Sequence, residues 1–193
     1  MTSFYLVRHG AHVLQDQVLV GRSPGIELSD AGRRQVEALA RYFRTIPLDV
    51  VRSGPLHRAR TTADALTAEV EVDDAMDEID YGEWTGRDPA ELGADPAWRA
   101  WNAQRGAARV PAGESMQEVQ NRAVGAVQRL RRELRDAKVA LVTHGDVLRA
   151  ILVFYLGMPL DLLGRLTVDP GSVSHLVVQP WGPTLVELNR TSF

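Results

Sequence analysis

Phe4-Tyr5-Leu6-Val7-Arg8-His9-Gly10 decides the fold of this chain, because a short apolar run ends there on an arginine, a histidine and a glycine. The apolar residues predict a buried strand over 3–8. A second apolar run over 139–143 ends in the same way, on His144 and Gly145. Because open α/β sheets bind ligands at the carboxyl ends of their strands, we expect His9 and His144 to meet in one site.

Strand-like and helix-like segments alternate along the rest of the chain, which favours a layered α/β fold. Ser29 is a suitable N-cap for the first helix. The arginines of the longest helical segment alternate with apolar residues and predict a solvated face opposite an apolar stripe. The patterns predict helices over 31–44, 56–68, 114–135 and 147–156, strands over 48–51 and 70–72, and a closing hairpin of 175–178 and 185–188 around Gly182-Pro183.

Residues 82–113 differ from their surroundings, since they contain three prolines and three of the four tryptophans. A segment of this length between core elements predicts an insertion or lid, with a short helix over 95–104. Trp98 and Trp101 share one face of that helix. We expect them to pack against the body of the protein rather than to contact a substrate, because large aromatic side chains usually pack.

Composition restricts the class of protein. A chain of 193 residues with 45% hydrophobic and 24% charged residues predicts a single globular domain over 1–193. The net charge of −3 does not favour a nucleic-acid partner. The absence of cysteine excludes disulfides, thiolate nucleophiles and cysteine-based metal sites. There is no signal-peptide pattern and no apolar stretch near the roughly 18 residues of a membrane span, so we expect no membrane partner and a cytoplasmic location.

The residue types around the two histidines fit phosphoryl transfer. A neutral imidazole such as His9 is a competent nucleophile. Arg8 and Arg58 supply planar guanidinium groups that bind phosphate oxygens, and Arg58 begins a helix, whose N-terminus also favours an anion. Glu78 is the candidate acid that protonates the leaving group. His144, with the amide of Gly145, completes the set from the other strand.

The ordered motifs resemble the histidine phosphatase superfamily, also called the phosphoglycerate mutase-like family. The resemblance spans nearly the whole chain and implies a central mixed, mostly parallel sheet flanked by helices in three layers, with a helical insertion near the site. It implies that His9 forms a phosphohistidine, that Arg8, Arg58 and His144 hold the phosphoryl group, and that Glu78 donates a proton. The matching segments are 6–10, 21–35, 53–63, 78–86, 113–115 and 143–145.

The resemblance also implies a substrate-binding set and no cofactor or metal. Gln15 stands where the family often has an asparagine, and its longer side chain departs from that pattern. The sequence of the loop that contains Ser23 differs from the pattern usual in mutases, and Ser23 is the residue of this loop that we expect to contact phosphate. His9 and His12 form a His-x-x-His pair, but His9 is already committed to the phosphoryl site, so we expect no metal there. The expected substrate-binding residues are Gly10, Gln15, Arg22, Ser23 and Gly145.

Three functions fit these residues. The first is a metal-independent phosphomonoester hydrolase that acts on a small molecule through phospho-His9. The second is a phosphoglycerate-type mutase, which must exclude water from its intermediate. The third is a phosphate-ester binding or regulatory module, against which the intact His9, Glu78 and His144 argue. We also expect a lowered pKa for His9 and a raised pKa for Glu78. An edge strand near the C-terminus could pair with a second copy to form a homodimer.

Overall fold

The strands build one mixed sheet in the computed structural model, which describes residues 1–67 and 69–193. The strands are β1 (Thr2–Arg8), β2 (Val50–Ser53), β3 (Glu71–Val72), β4 (Lys138–Thr143), β5 (Val173–Gln179) and β6 (Gly182–Arg190). Their order in the sheet is β3-β2-β4-β1-β5-β6. The first four run parallel, whereas β5 is antiparallel to β1 and to β6. The predicted mixed, mostly parallel sheet is confirmed.

The helices begin at caps that the sequence provides. The Ser29 hydroxyl accepts a hydrogen bond from the amide of Gly32. Ser115 and Glu118 form a capping box, in which each side chain binds the backbone amide of the other residue. The helices are α1 (Asp30–Phe43), α2 (His57–Asp64), α3 (Pro96–Ala103), α4 (Met116–Glu133) and α5 (Gly145–Tyr155).

The side chains of β1 alternate between the two faces of the sheet, and helices cover both faces, so that the fold has three layers. Phe4 and Leu6 point to one face of the sheet, where they join the core cluster that includes side chains of α4 and α5. Tyr5 and Val7 point to the other face and join a smaller cluster with residues of α1 and α2. Because successive side chains of a strand alternate between faces, a wholly apolar strand needs cover on both sides. The predicted three-layer sandwich is confirmed.

Several predicted boundaries differ from the observed ones by one to four residues, and the hairpin turn lies at Pro180 and Trp181 rather than at Gly182-Pro183. The second strand lies at 50–53 rather than 48–51, because its pairing with β4 starts at Val50 opposite Val139. The carboxylate of Asp49 instead accepts the amide of Lys138 at the sheet's edge. The second helix ends at Asp64, since the chain turns at Ala65 and Leu66. The predicted end of that helix, Ala68, lies outside the described residues.

The insertion is docked into the main core. It contains the predicted short helix, α3, and it buries Trp84, Leu92, Trp101 and Val110 in the larger cluster. Its two ends are held together, since the amide of Glu83 donates to the carbonyl of Pro111 at 3.0 Å. The packing of Trp101 against the body is as expected, and movement of the insertion as a lid stays a prediction.

The sheet ends on β6, whose outer side includes the exposed side chains of Val186 and Leu188. Pairing of this edge with a second copy stays a prediction. Within the described part of the chain, no helix is both long and apolar enough to span a bilayer.

Candidate active site

The sheet brings the two histidines together. Arg8 is paired with Thr143 in the parallel register of β1 and β4, so that His9 and His144 leave the sheet side by side. The amide of His9 donates to the carbonyl of Thr143 at 3.0 Å. The imidazole centroids are 4.9 Å apart, and the side chain of His144 has no exposed surface. The juxtaposition expected from the two strand-His-Gly motifs is present.

Two glycines allow the chain to turn directly after His9. A Cβ on Gly32 would lie 1.9 Å from the carbonyl oxygen of Ala11, and a Cβ on Gly10 would lie 2.7 Å from that of Gly32. The first turn of α1 therefore packs directly on this loop. We expected Gly10 to bind substrate, but its amide donates to the Thr62 hydroxyl at 3.1 Å. Gly10 also contacts His9 through its carbonyl, and contact of Gly10 with a substrate stays a prediction.

The carbonyl of Gly10 decides which nitrogen of His9 is free. His9 Nδ1 lies 2.7 Å from this oxygen, which can only accept a hydrogen bond. Nδ1 therefore carries the proton, and Nε2 keeps its lone pair. Burial, followed by the charges of Arg58 and Arg8, holds the pKa of His9 well below its usual value. His9 is thus a neutral imidazole with a defined nucleophilic nitrogen.

Arg8 and Arg58 are buried beside the histidines with part of their hydrogen-bonding capacity unused. Arg8 Nη1 donates to the carbonyl of Val168, and Arg58 Nη2 donates to that of Gly21, each at 2.7 Å. The Nε atoms of both arginines have no acceptor within residues 1–67 and 69–193. Burial lowers the pKa of each guanidinium, but a guanidinium stays protonated at neutral pH. We call Arg8, His9, Arg58 and His144 the phosphoryl pocket.

His144 also stays neutral. Burial and the nearby charges of Arg58 and Arg8 hold the pKa of His144 well below its usual value. Neither ring nitrogen has a hydrogen-bond partner in the described part of the chain. Its imidazole can therefore donate one hydrogen bond to an oxygen placed between the two histidines.

His12 lies at the rim of this group. Its ring centroid is 5.8 Å from that of His9, and burial with the charge of Arg58 lowers the pKa of His12 to about 4. Among the residues that the structure describes, no three or more His, Cys, Asp or Glu side chains are grouped so that they could hold a metal ion.

Glu78 faces His144 with a carboxyl group whose pKa is raised. Its Oε2 is 3.6 Å from His144 Nδ1, and its Oε1 accepts the amide of Ile79 at 2.9 Å. Burial raises the pKa of Glu78 to about 7, and the charge of Asp146 adds to the increase while Arg58 and Arg8 oppose it. The 3.6 Å contact is therefore not a full ion pair, because a neutral histidine faces a carboxyl group that is largely or half protonated. The directions of both pKa shifts agree with the expectations for His9 and Glu78.

A cluster of ion pairs fixes the backbone under Glu78. Arg122 of α4 donates to the carbonyls of Ala75, Asp77 and Glu78, and its Nε and Nη2 both bind the carboxylate of Glu114. The prediction that the α4 arginines form a solvated face is wrong for Arg122, whose side chain is only 19% exposed. Periodicity shows which residues share a helix face, but it does not show that a loop from elsewhere covers part of that face.

Arg22, which we expected to bind substrate, belongs to the same cluster of ion pairs. Its Nε donates to the carbonyl of Glu78 at 2.8 Å, and its Nη2 binds Glu114 at 2.9 Å. Its Nε also lies 3.2 Å from a carboxylate oxygen of Asp77. These contacts hold the backbone of Glu78, and contact of Arg22 with a substrate stays a prediction.

A cleft of about 290 Å³ leads to the phosphoryl pocket. Of the expected substrate-binding residues, Gln15 and Gly145 line it, whereas Ser23 is not among its lining residues. Gln15 Oε1 is buried without a partner in the described ranges, and contact of Gln15, Gly145 or Ser23 with a substrate stays a prediction. The lining residues are Arg8, His12, Gln15, Asp16, Val18, Leu19, Val20, Gly21, Glu78, Tyr81, Pro89, Trp98, Trp101, Asn102, Arg105, Gly145, Asp146 and Arg149.

The outer part of the cleft contains polar residues that the sequence motifs did not single out as a group. Asp146 accepts the hydroxyl of Tyr81 at 2.9 Å and pairs with Arg149 at 3.0 Å. Its carboxylate is also 3.7 Å from Arg105 Nη1. Asp146 follows the Thr143-His144-Gly145 motif directly, and this position in the sequence could have indicated that Asp146 lies near the site. We call Trp98, Trp101, Arg105, Asp146 and Arg149 the distal end of the cleft.

The protein has a larger groove elsewhere, with a volume of about 760 Å³, at the other end of β1. It is lined by Arg131, Arg132 and Arg135 together with Tyr155, and none of its lining residues is a histidine. Size therefore does not identify the reactive site. The smaller cleft is lined by Arg8 of the phosphoryl pocket and by the acid Glu78, and we place the chemistry at this end of the sheet.

This combination of histidines, buried arginines and an acid lies on a mixed α/β sheet, and comparison with known proteins identifies the family. The family model of the histidine phosphatase superfamily (branch 1) matches residues 4–191. The chain belongs to this superfamily, and it is an enzyme of the histidine phosphatase type.

Named relatives include both phosphatases and mutases. The chain is 30% identical to phosphoserine phosphatase 1 of Hydrogenobacter thermophilus, over 99% of this chain and 93% of that protein. It is 28% identical to the probable phosphoglycerate mutase GpmB of an Enterobacter species, over 94% of this chain and 88% of that protein. The solved structure of Bacillus stearothermophilus YhfR is 27% identical and superposes with a TM-score of 0.89, over 97% of this chain and 96% of that one.

Proposed function

We propose that the protein is a metal-independent phosphomonoester hydrolase that works through a phosphohistidine on His9. The observation that carries the proposal is the contact of His9 Nδ1 with the Gly10 carbonyl, which leaves Nε2 as the free nucleophile between two buried arginines. Relatives named as phosphatases agree with this reaction class.

In the first step, Nε2 of His9 attacks phosphorus while the bond from phosphorus to the ester oxygen breaks. The transferred group carries negative charge on three oxygens, and hydrogen-bond donors around them stabilise the transition state. Arg8 and Arg58 have unused Nε–H donors in buried positions, and His144 has a neutral ring beside His9. We assign these three residues to the phosphoryl oxygens, together with the amide of Gly145 at the start of α5.

Glu78 donates the proton that the leaving alcohol needs. With a pKa of about 7, a large share of Glu78 is protonated at neutral pH. In the second step, water attacks phosphorus and the bond to Nε2 breaks. The Glu78 carboxylate takes a proton from this water, which returns both Glu78 and His9 to their starting states.

Rapid quench with a phosphorus-labelled alkyl phosphate tests the mechanism. We expect an acid-labile, base-stable phosphoryl group on His9 that forms and decays at rates compatible with turnover. His9→Ala has the same cleft but no nucleophile, so it is the control and should trap no label. A wild-type enzyme that releases phosphate without ever carrying label on His9 would overturn the mechanism.

The mutase alternative rests on the relative named as a probable phosphoglycerate mutase. A mutase returns the phosphoryl group from phosphohistidine to an alcohol instead of to water. An assay of phosphoglycerate isomerisation, with a bisphosphorylated primer and parallel measurement of phosphate release, separates the two. Phosphate release that exceeds isomerisation supports the hydrolase, and the reverse supports the mutase.

A further inference from the structure

The larger groove, of about 760 Å³, has the character of an anion site. Its lining includes Arg131 and Arg132, which lie in the last turn of α4, and Arg135, two residues beyond the end of that helix. The groove lies at the start of β1, whereas the phosphoryl pocket lies at its end, and seven extended residues span about 20 Å. Its side chains are therefore too far away to take part in the reaction at His9. We call it the basic groove.

The guanidinium groups of the basic groove have few partners of their own. Arg131 donates to a backbone carbonyl of β5 at 3.0 Å. Arg132 and Arg135 are exposed, and neither forms a side-chain hydrogen bond or an ion pair within the described part of the chain. Asp136, a carboxylate that also lines the groove, already lies 2.8 Å from the amino nitrogen of Met1. The positive charge is thus available to a ligand, and a cleft lined by one sign of charge concentrates ions of the opposite sign.

The groove is also lined by a tyrosine whose hydroxyl group is buried. Tyr155 Oη has no hydrogen-bond partner among the residues that the structure describes. Burial raises the pKa of Tyr155 to about 12, so that the hydroxyl keeps its proton at neutral pH and can donate a hydrogen bond. The nearby Arg131 cannot supply the acceptor, because guanidinium nitrogens only donate. A ligand oxygen in the groove would satisfy this donor.

We propose that the basic groove binds a small dissolved anion with two phosphoryl groups, which is held by the three arginines of the groove and by the Tyr155 hydroxyl. Guanidinium groups bind phosphate oxygens bidentately. One phosphoryl group carries about 1.5–2 negative charges, so two of them match three guanidinium groups better than one does. The volume of the groove lies within the roughly 300–1,000 Å³ of small-molecule sites, which favours a solute over a bilayer surface.

Calorimetry with methylenebisphosphonate tests the proposal, because this probe has two phosphoryl groups and no ester or anhydride bond to cleave. Methylphosphonate is the matched probe with one such group. We expect the wild type to bind the bisphosphonate more tightly by roughly tenfold or more, as for additional charge-assisted hydrogen bonds. The difference should decrease as salt is added, because salt screens exposed charges. Equal affinities for the two probes would overturn the proposal.

Substitutions locate the site. Arg132→Gln/Arg135→Gln removes two cations and should weaken bisphosphonate binding by roughly tenfold, and Tyr155→Phe removes only the hydroxyl and should weaken it by a smaller factor. Arg41→Gln/Arg44→Gln is the matched control, because these exposed arginines lie at the end of α1, on the other face of the sheet. This control changes the net charge equally and should keep the wild-type affinity. An equal loss in both double variants would show an effect of net charge alone and overturn the site.

Kinetics separate the basic groove from the phosphoryl pocket. The kcat/KM for an alkyl phosphate should be unchanged in Arg132→Gln/Arg135→Gln, since the groove lies about 20 Å from the reacting atoms. A bisphosphonate that competes with the alkyl phosphate, and binds this variant as tightly as the wild type, would place the binding in the phosphoryl pocket and overturn the proposal. Calorimetry needs no turnover, so it tests the groove even if the hydrolase proposal fails.

Vesicles test a lipid as the source of the two phosphoryl groups. Cardiolipin carries two phosphodiesters in its headgroup, and phosphatidylcholine vesicles with and without it are compared by co-sedimentation. We expect the protein to stay in the supernatant in both cases. Sedimentation that requires cardiolipin, and that methylenebisphosphonate does not reverse, would overturn the choice of a dissolved anion.

Discussion

Replacement of Glu78 by Gln tests the acid assignment most directly. The amide keeps the size of the carboxyl group but cannot donate the proton that the leaving alcohol needs. General acid catalysis typically contributes about 10²–10⁴-fold, so we expect a loss of this order in kcat/KM for an alkyl phosphate. The loss should be much smaller for nitrophenyl phosphate, because a nitrophenolate leaves without prior protonation.

The pH profile gives the second half of this test. With a Glu78 pKa of about 7, the active protonated form decreases about tenfold per pH unit above that value. The kcat/KM of the wild type for an alkyl phosphate should therefore be about 100-fold lower at pH 9 than on its plateau. The second ionisation of the substrate, near pH 6, affects wild type and Glu78→Gln alike. The ratio of the two profiles isolates Glu78.

Steady-state assays from pH 5 to 9 test this assignment, with wild type and Glu78→Gln each measured on the alkyl phosphate and on nitrophenyl phosphate. An alkyl-phosphate kcat/KM that rises steadily to pH 9 in the wild type would refute the assignment. A basic limb that persists unchanged in Glu78→Gln would assign that limb to another group.

Four further substitutions test the packing behind the site. Arg122→Lys should lower kcat at least tenfold with little change in KM, and it should reduce the free energy of unfolding by about 2–4 kcal/mol. The reason is that a lysine cannot replace the hydrogen bonds of Arg122 to Glu114 and to the backbone next to Glu78. Steady-state kinetics and urea denaturation measure the two effects. Gly32→Ala should destabilise the folded protein by about 1–3 kcal/mol or more, since the new Cβ would lie 1.9 Å from the Ala11 carbonyl oxygen. Gly125→Ala, on the open surface of α4, should stabilise it by about 0.5–1 kcal/mol. Equal shifts of the thermal midpoint in the two variants would contradict this reasoning. Ser115→Ala should cost about 1 kcal/mol in thermal unfolding through loss of the capping box, and an unchanged midpoint would contradict this.

The sequence determined the centre of the site because that centre depends on local rules. His9 and His144 each end a buried strand, and the carboxyl ends of parallel strands meet at one sheet edge. Arg58 follows a short strand and begins α2, which places it at the same edge. No long-range information beyond strand adjacency was needed for these residues.

The support of the site could not be predicted in the same way. Arg122 has the spacing of a solvated helix face, and only the path of residues 75–78 across α4 shows that its guanidinium binds three carbonyls. Arg22 lies in a loop expected to contact phosphate, but Glu114, 92 residues away, draws its side chain behind Glu78. These contacts depend on loop conformation, for which the hydrophobic pattern carries no signal.

The two arginines of the phosphoryl pocket lower the pKa of both reacting groups, which favours the proposed reaction at His9 and opposes it at Glu78. Arg8 and Arg58 lower the pKa of His9, which keeps the nucleophile neutral, but they also lower the pKa of Glu78, which favours loss of the proton that must be donated. Burial and the negative charge of Asp146 reverse this effect at Glu78. The groups that act on His9 are instead the arginines, Gly10 and His12. Asp146→Asn should therefore shift the basic limb of the pH profile to lower pH and leave His9 neutral, because Asp146 adds to the effect of burial at the acid and is not among the groups that act on the nucleophile.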